Sequence, residues 1–311
     1  MLKPVVAACA ALPLVAAPAV ASDQSHQVGD FAYKVVRELN SAQRVQGTPG
    51  ERAAAAKIRT WLRKAGYSPK TKRFTFARKG TTYSSQNVTA TLKGTGKKPP
   101  IIVIGAHYDN RIEGYGADDN ASGVGVMLEV ARRMADRKLP VTVKFVAFGA
   151  EENPGGLVGS NRYVRSMTAK QVKRTELMIN YDSLIVGDHM YVHAGENKKT
   201  WGRDRMLRIA ERFQLPLRTQ PGWNPEYPAG LTPNGFSDYT AFNKAGIPVV
   251  AFEATNWEID QRDGYTQTEE HGSYWHTAND TLDAIERDYP YRPGVRLYTF
   301  TKATLEFLKS L

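Results

Sequence analysis

The chain of 311 residues carries 42 Lys and Arg against 31 Asp and Glu, a net charge of +11, with 41% hydrophobic and 23% charged residues. Such proportions belong to an ordinary globular protein and exclude a disordered, collagenous or polytopic membrane chain. Its one thiol, Cys9, stands in the first ten residues, so the body of the chain has no disulfide, Cys nucleophile or thiolate zinc site, and any metal must rest on His, Asp or Glu.

Met1-Leu2-Lys3 and the eighteen uncharged, Ala- and Val-rich residues after it, ending Ala19-Val20-Ala21, read as a secretory signal peptide cleaved before Ser22. Pro4, Pro13 and Pro18 argue against a stable membrane anchor there. Residues 22–311 are then expected to form a single catalytic domain, periplasmic or secreted. Helical spacing marks 31–39 and 53–64, the second closed by Gly66. Residues 74–77 and 87–92 have strand character, and a Gly/Lys/Pro-rich turn follows. Thereafter strands at 101–104, 141–148 and 177–181 alternate with a helix at 124–134. Residues 188–193 are strand-like, 205–213 and 238–245 are helical, 249–252 is a strand and 295–308 a closing helix. This rhythm predicts an α/β fold with a mixed, largely parallel central sheet and helices on both faces. The stretches 195–202, 216–235 and 257–272 read as long loops.

Ligands in open α/β sheets bind beyond the carboxyl ends of the strands. Here the first strand runs into Gly105-Ala106-His107-Tyr108-Asp109, the second into Gly149-Ala150-Glu151-Glu152, and the third into Asn180-Tyr181-Asp182, with Gly116-Ala117-Asp118-Asp119-Asn120-Ala121-Ser122-Gly123 between the first strand and its helix. Taken singly, Asp119 or Asn120 could cap a helix and Glu151-Glu152 could be a solvated turn. Together they converge on one sheet edge with the chemistry of a site for two divalent cations. His107 and Asp109 point the same way, which suits Asp109 to orienting the His107 ring. Of the adjacent glutamates, one can bind metal while the other serves as general base. A second imidazole must come from His26, His189, His193, His271 or His276, and spacing alone does not choose between His271 and His276.

These motifs, with His276-Thr277 and Asp280-Thr281, resemble those of the two-zinc aminopeptidases, metallopeptidase family twenty-eight, in order from Ile101 to Ile285. The resemblance implies the zinc-aminopeptidase (phosphorylase/hydrolase-like) fold. It implies two Zn2+ ions, one held by His107, Asp119 and Asp182, the other completed by Glu152 and His276, with Asp119 bridging and Glu151 as general base. It also implies a cis peptide after Asp119, and peptide or protein N-termini as substrates. Asn180 to Asp188, Glu253 to Trp257 and Asp263-Gly264-Tyr265 resemble a narrower exported branch, the aminopeptidases of alkaline phosphatase isozyme conversion, associated with removal of N-terminal arginine.

Two positions depart from the family pattern. Trp275 stands where many relatives have a Tyr whose hydroxyl helps the oxyanion, which leaves Tyr274 as a substitute donor, and Ser237-Asp238-Tyr239 replaces Ser-Asp-His. The loop 257–272 gathers Glu258, Asp260, Asp263, Glu269 and Glu270, which suggests an acidic collar selecting N-terminal Arg or Lys. Competing readings are a glutaminyl cyclase-like acyltransferase with a single zinc, a non-catalytic peptide-binding relative, and a nucleic-acid binder. The last is argued against by scattered Lys and Arg with no recognisable module. The sequence carries no signal for an oligomeric state.

Overall fold

The computed structural model of the protein describes residues 27–153 and 155–311, so the expected signal segment, Cys9 and His26 lie outside the described residues. Two amphipathic helices come first. α1 (Asp30–Leu39) buries Ala32, Val35, Val36 and Leu39 on one stripe. α2 (Pro49–Lys64) starts at Thr48, whose side chain accepts the Glu51 N–H, with Pro49 at its first position, and buries Ala54, Ala55, Ile58, Trp61 and Leu62. A hairpin of β1 (Lys70–Arg78) and β2 (Thr81–Leu92) turns at Lys79 and Gly80, both in the left-handed region.

The central strands are β3 (Ile101–His107), β4 (Thr142–Phe148), β5 (Thr175–Tyr181) and β9 (Val249–Thr255), joined by β6 (His189–Gly195) and the two-residue strands β7 (Leu217–Arg218) and β8 (Leu231–Thr232). The order across the sheet is β1-β2-β4-β3-β5-β9-β6-β7, with β8 beside β6. Strands β4, β3, β5 and β9 run parallel; β1 and β2 pair antiparallel with their neighbours, and β6 is antiparallel to β9 but parallel to β7 and β8. The expected mixed, largely parallel sheet is therefore present. Every residue of β3 is buried, which explains its continuous apolar run.

Alternate residues of the strands feed two cores. One contains Ile102, Ile104, Phe145, Ile179 and Phe252 under α1, α3 (Gly123–Met134), α6 (Trp201–Arg212) and α9 (Arg292–Lys309). The other contains Ile101, Val103, Val146, Phe148 and Met178 against α4 (Val158–Arg165) and α7 (Tyr239–Lys244). The short polar helices α4 and α5 (Ala169–Arg174) escape a periodicity reading, as do the two-residue strands inside the expected loop 216–235. α8 (Leu282–Asp288) begins at Thr281, whose hydroxyl accepts the Ala284 N–H. Among the described residues no helix is long and apolar enough to cross a membrane.

One buried cation ties the connection after β3 to the helical layer. Arg44 is 1% exposed; its guanidinium donates to the carbonyls of Tyr108 (2.8 Å), Leu39 (2.9 Å), Tyr115 (2.6 Å) and Gly116 (2.8 Å). Burial lowers its pKa to about 10, opposed by the charges of Asp280, Asp109 and Asp119. Replacing Arg44 with Met leaves four carbonyls unsatisfied, at a cost of about 3 kcal/mol or more. A urea midpoint within error of wild type would contradict this.

Candidate metal centre

Four of the site residues sit where a strand stops. His107 ends β3, Glu151 and Glu152 follow β4, and Asp182 follows β5. Asp119 lies in a kinked turn, Ala117–Ser122, whose backbone is non-helical at Asp119 and Asn120, entered from Gly116 at φ 62°. The peptide bond between Asp119 and Asn120 is cis, as the resemblance implies. The turn is held from outside: Asp280 accepts the N–H groups of Asp118 (2.7 Å) and Asp119 (3.1 Å), and Asp118 accepts those of Ile185 (2.7 Å) and Val186 (3.3 Å). Asp280 comes from the segment that carries His276, so the same contact delivers that imidazole to the edge.

All five expected ligands come together. Asp119 aims Oδ1 at His107 Nε2 (3.0 Å) and Oδ2 at His276 Nε2 (3.2 Å). His107 Nε2 also meets Asp182 Oδ1 at 3.3 Å, and His276 Nε2 meets Glu152 Oε2 at 3.6 Å. Two groups result, His107 with Asp119 and Asp182, and Asp119 with Glu152 and His276, their donor atoms within 4.8 Å of one another in each. Asp119 belongs to both.

The donors fit divalent metal. They are imidazole and carboxylate, the set zinc accepts in the absence of thiolates. Glu152 Oε1 is buried without a hydrogen-bond partner among the described residues. Asp119, Glu152, Asp182, Glu151 and the fully buried Asp238 gather five carboxyl groups around two imidazoles at this edge, a surplus of acid that divalent cations would offset. Burial raises Glu152 to about 8, with Asp119 adding to the rise. Burial lowers His276, but its contacts with Asp119 and Glu152 outweigh this and take it to about 11. Burial also pushes Glu151 well above the usual carboxylate range; His107 opposes, while Glu152, Asp182 and Asp238 add to the rise.

The supporting contacts differ from expectation at two points. Asp109 does not act chiefly on the His107 ring, whose Nδ1 lies 3.2 Å from the Asp109 backbone oxygen and 3.7 Å from its carboxylate. Its carboxylate instead accepts the N–H groups of Glu151 (3.2 Å) and Glu152 (3.1 Å) and so positions both glutamates. Tyr274 turns its hydroxyl to Asp288, away from the centre. The phenol at the centre is Tyr265, its hydroxyl 3.4 Å from His276 Nδ1; this role was missed in the sequence, although Tyr265 lies in a recognised motif. Ser237 was also missed as a contact, and donates to Asp182 Oδ2 at 2.5 Å. Among the described residues the remaining imidazoles have other partners, His189 with Arg218, His193 with Glu253 and His271 with Glu270.

The acidic loop does not form a collar in these contacts. Glu258 pairs with Arg218, Asp263 accepts the Tyr265 N–H, and Glu270 is 3.6 Å from His271.

Residues 87–294 match the model of peptidase family M28. The chain belongs to that family. This M28 chain is 33% identical over 320 aligned positions to the alkaline phosphatase isozyme conversion protein of Escherichia coli (strain K12), a match covering 92% of each. It is 33% identical over 221 positions to aminopeptidase YwaD of Bacillus subtilis (strain 168), covering 69% of this chain and 43% of that one. Among solved structures it is similar to BSAP, a zinc aminopeptidase from Bacillus subtilis, with a TM-score of 0.73, 20% identity and coverage of 90% and 95%. It is similar as well to Porphyromonas gingivalis glutaminyl cyclase, at a TM-score of 0.71, 22% identity and coverage of 91% and 98%. These two structural matches speak for the fold alone.

In the metal-free protein at neutral pH both Glu152, near 8, and His276, near 11, carry a proton that a cation must displace. Zinc binding at pH 7 is therefore expected to release protons, and apparent affinity to weaken as pH falls from 8 to 6. Titration calorimetry in buffers of different ionisation enthalpy checks this, since equal apparent heats would mean that no proton leaves.

Proposed function

We propose that the protein removes the N-terminal residue from peptides or proteins, using two zinc ions held by His107, Asp119 and Asp182 and by Asp119, Glu152 and His276. The protein is a zinc metallo-aminopeptidase. Its family membership, its aminopeptidase relatives and its donor set support this reading. The observation that carries it is Asp119, with one carboxylate oxygen on each of two imidazoles.

Bound zinc would lower the pKa of a water toward about 7 and polarise the scissile carbonyl. The chain itself supplies the proton traffic. Glu151 is partly exposed and its carboxylate takes no hydrogen bond from the described residues, which leaves it open to a water. It removes a proton as that water attacks the carbonyl, then delivers the proton to the departing amine nitrogen as the C–N bond breaks. In the metal-free protein burial and the carboxylates around it raise its pKa, a rise that bound cations would oppose, leaving the carboxylate ionised to take the proton. Asp109 keeps Glu151 and Glu152 at fixed spacing through their N–H groups.

Two complete ligand groups sharing Asp119 support hydrolysis over single-zinc cyclisation. The proposal includes export, supported by the Ala- and Val-rich segment before Ser22, and a preference for N-terminal Arg or Lys.

Glu151→Gln is expected to lower kcat about 10²- to 10⁴-fold while the variant retains two zinc ions per chain by elemental analysis. Near-normal turnover with intact metal content would remove Glu151 from the general-base role. The wild-type enzyme should cleave N-terminal residues from unblocked peptides and leave N-acetylated ones untouched, and cyclisation of N-terminal Gln in place of hydrolysis would favour the acyltransferase.

A further inference from the structure

In the 257–272 loop Glu258 and Asp263 are engaged by Arg218 and the Tyr265 N–H, whereas another carboxylate stands beside the candidate metal ligands. Glu253 lies on β9 one position beyond the pair Tyr181 and Phe252, and the Asp182 N–H bonds to the Phe252 carbonyl at 3.1 Å. Asp182 and Glu253 are thus neighbours across adjacent parallel strands, about 4.8 Å apart in the sheet. The stacked rings of Tyr181 and Phe252 face the α9 side, so by the alternation of strand residues Asp182 and Glu253 share the opposite face. The phenol of Tyr239 feels both charges.

Glu253 is held on one oxygen only. His193 Nε2 (2.9 Å) and the Trp257 indole N–H (2.6 Å) both reach Oε1, and Oε2 takes no hydrogen bond from the described residues. No Lys or Arg among them pairs with it, although its side chain is only 18% exposed. Its Oε2 is thus open to a cation that enters beside it, in addition to the His193 imidazole on Oε1.

Aromatic rings connect this carboxylate to the metal ligands along a second route. Trp257 packs edge-on to Tyr227 at 5.4 Å, Tyr227 meets Phe236 at 6.3 Å, and Phe236 precedes Ser237, the residue bonded to Asp182. Phe236 is 48% exposed, so its ring is accessible to a substrate side chain. Glu253, the buried Trp257, Tyr227, the half-exposed Phe236 and Asp182 are therefore linked in one run of contacts with a carboxylate at each end. An arginine or lysine side chain would lay its methylenes along the rings and present its cation to Glu253, with aromatic faces adding attraction.

We propose that Glu253 is the specificity-determining residue, its free Oε2 binding the cationic side chain of the substrate's N-terminal residue. The inference rests on the aminopeptidase reading and replaces the loop acids as the source of selectivity. A Gln at this position keeps an Oε1 acceptor for His193 and Trp257 and removes only the charge. The discriminating substrate is citrulline, which copies the shape of arginine without its charge.

The experiment measures kcat/KM of zinc-loaded wild type, Glu253→Gln and Glu253→Asp on peptides beginning with Arg, citrulline or Leu, with folding checked by thermal unfolding. Wild type is expected to favour Arg over citrulline by about 30-fold, as befits a charge-assisted contact. The Gln variant should narrow that ratio to about threefold or less, mainly through KM, and the Asp variant, which keeps the charge, should retain more of it than the Gln variant does. An unchanged ratio in Glu253→Gln overturns the assignment while the Arg preference stands. Should that variant not fold, an Asp variant with the wild-type ratio supports recognition by the retained charge, and one with the ratio abolished overturns it. Wild type cleaving Leu but not Arg peptides also overturns the assignment and leaves the aminopeptidase reading intact, whereas no cleavage of any N-terminal residue defeats both.

Discussion

Concentrated negative charge at the carboxyl edge of the sheet is the constraint on which this structure turns. Carboxylates buried close together repel and lose hydration, and both costs grow as the surroundings become apolar. The fold meets them by sorting its acids into two kinds. Asp280, Asp118 and Asp109 are satisfied by backbone N–H groups, two for each. Asp119, Glu152 and Asp182 turn toward imidazoles, and Glu152 keeps an oxygen with no protein partner. The first kind builds the site and the second is left open for cations.

The same sorting explains how segments far apart in the chain arrive together. Each satisfied carboxylate is a cross-link between loops. Asp280 ties the His276 segment to the turn bearing Asp119, Asp118 ties that turn to the exit of β5, and Asp109 ties the exits of β3 and β4. Arg44, which opposes these charges from below, fastens the connection from β3 to the helical layer through four carbonyls. Geometry at the metal ligands is therefore set largely by residues that touch no metal.

Much of this was legible from residue order. The apolar runs of β3, β4, β5 and β9 identified a parallel core because strands buried on both faces must be apolar throughout. The ligands at their ends followed from where such sheets place their sites. Asp109 does stand beside the His107 ring, but its bonds to the Glu151 and Glu152 N–H groups were not foreseen, because spacing gives direction along a strand but not which neighbouring backbone a carboxylate will meet. Tyr265 was overlooked because nine residues of loop separate it from Trp275, and only the folded loop brings its hydroxyl to His276. The acidic loop invited a reading from local composition, while its charges find partners such as Arg218, forty positions away.

What the chain carries on its own is an inventory: the strand rhythm, the types of ligand and the motif order that places it in its family. These depend on short-range patterns, burial in steps of two or 3.6 residues and donor chemistry, and so are readable one segment at a time. Which oxygen of Asp119 faces which imidazole, which acids are spent on backbone N–H groups and which carboxylate lies open beside the aromatic rings are decided by contacts between segments tens to hundreds of residues apart. Such contacts arise only when the sheet closes, because hydrogen bonding and charge compensation at a buried edge are properties of the neighbours present and not of any single stretch of chain.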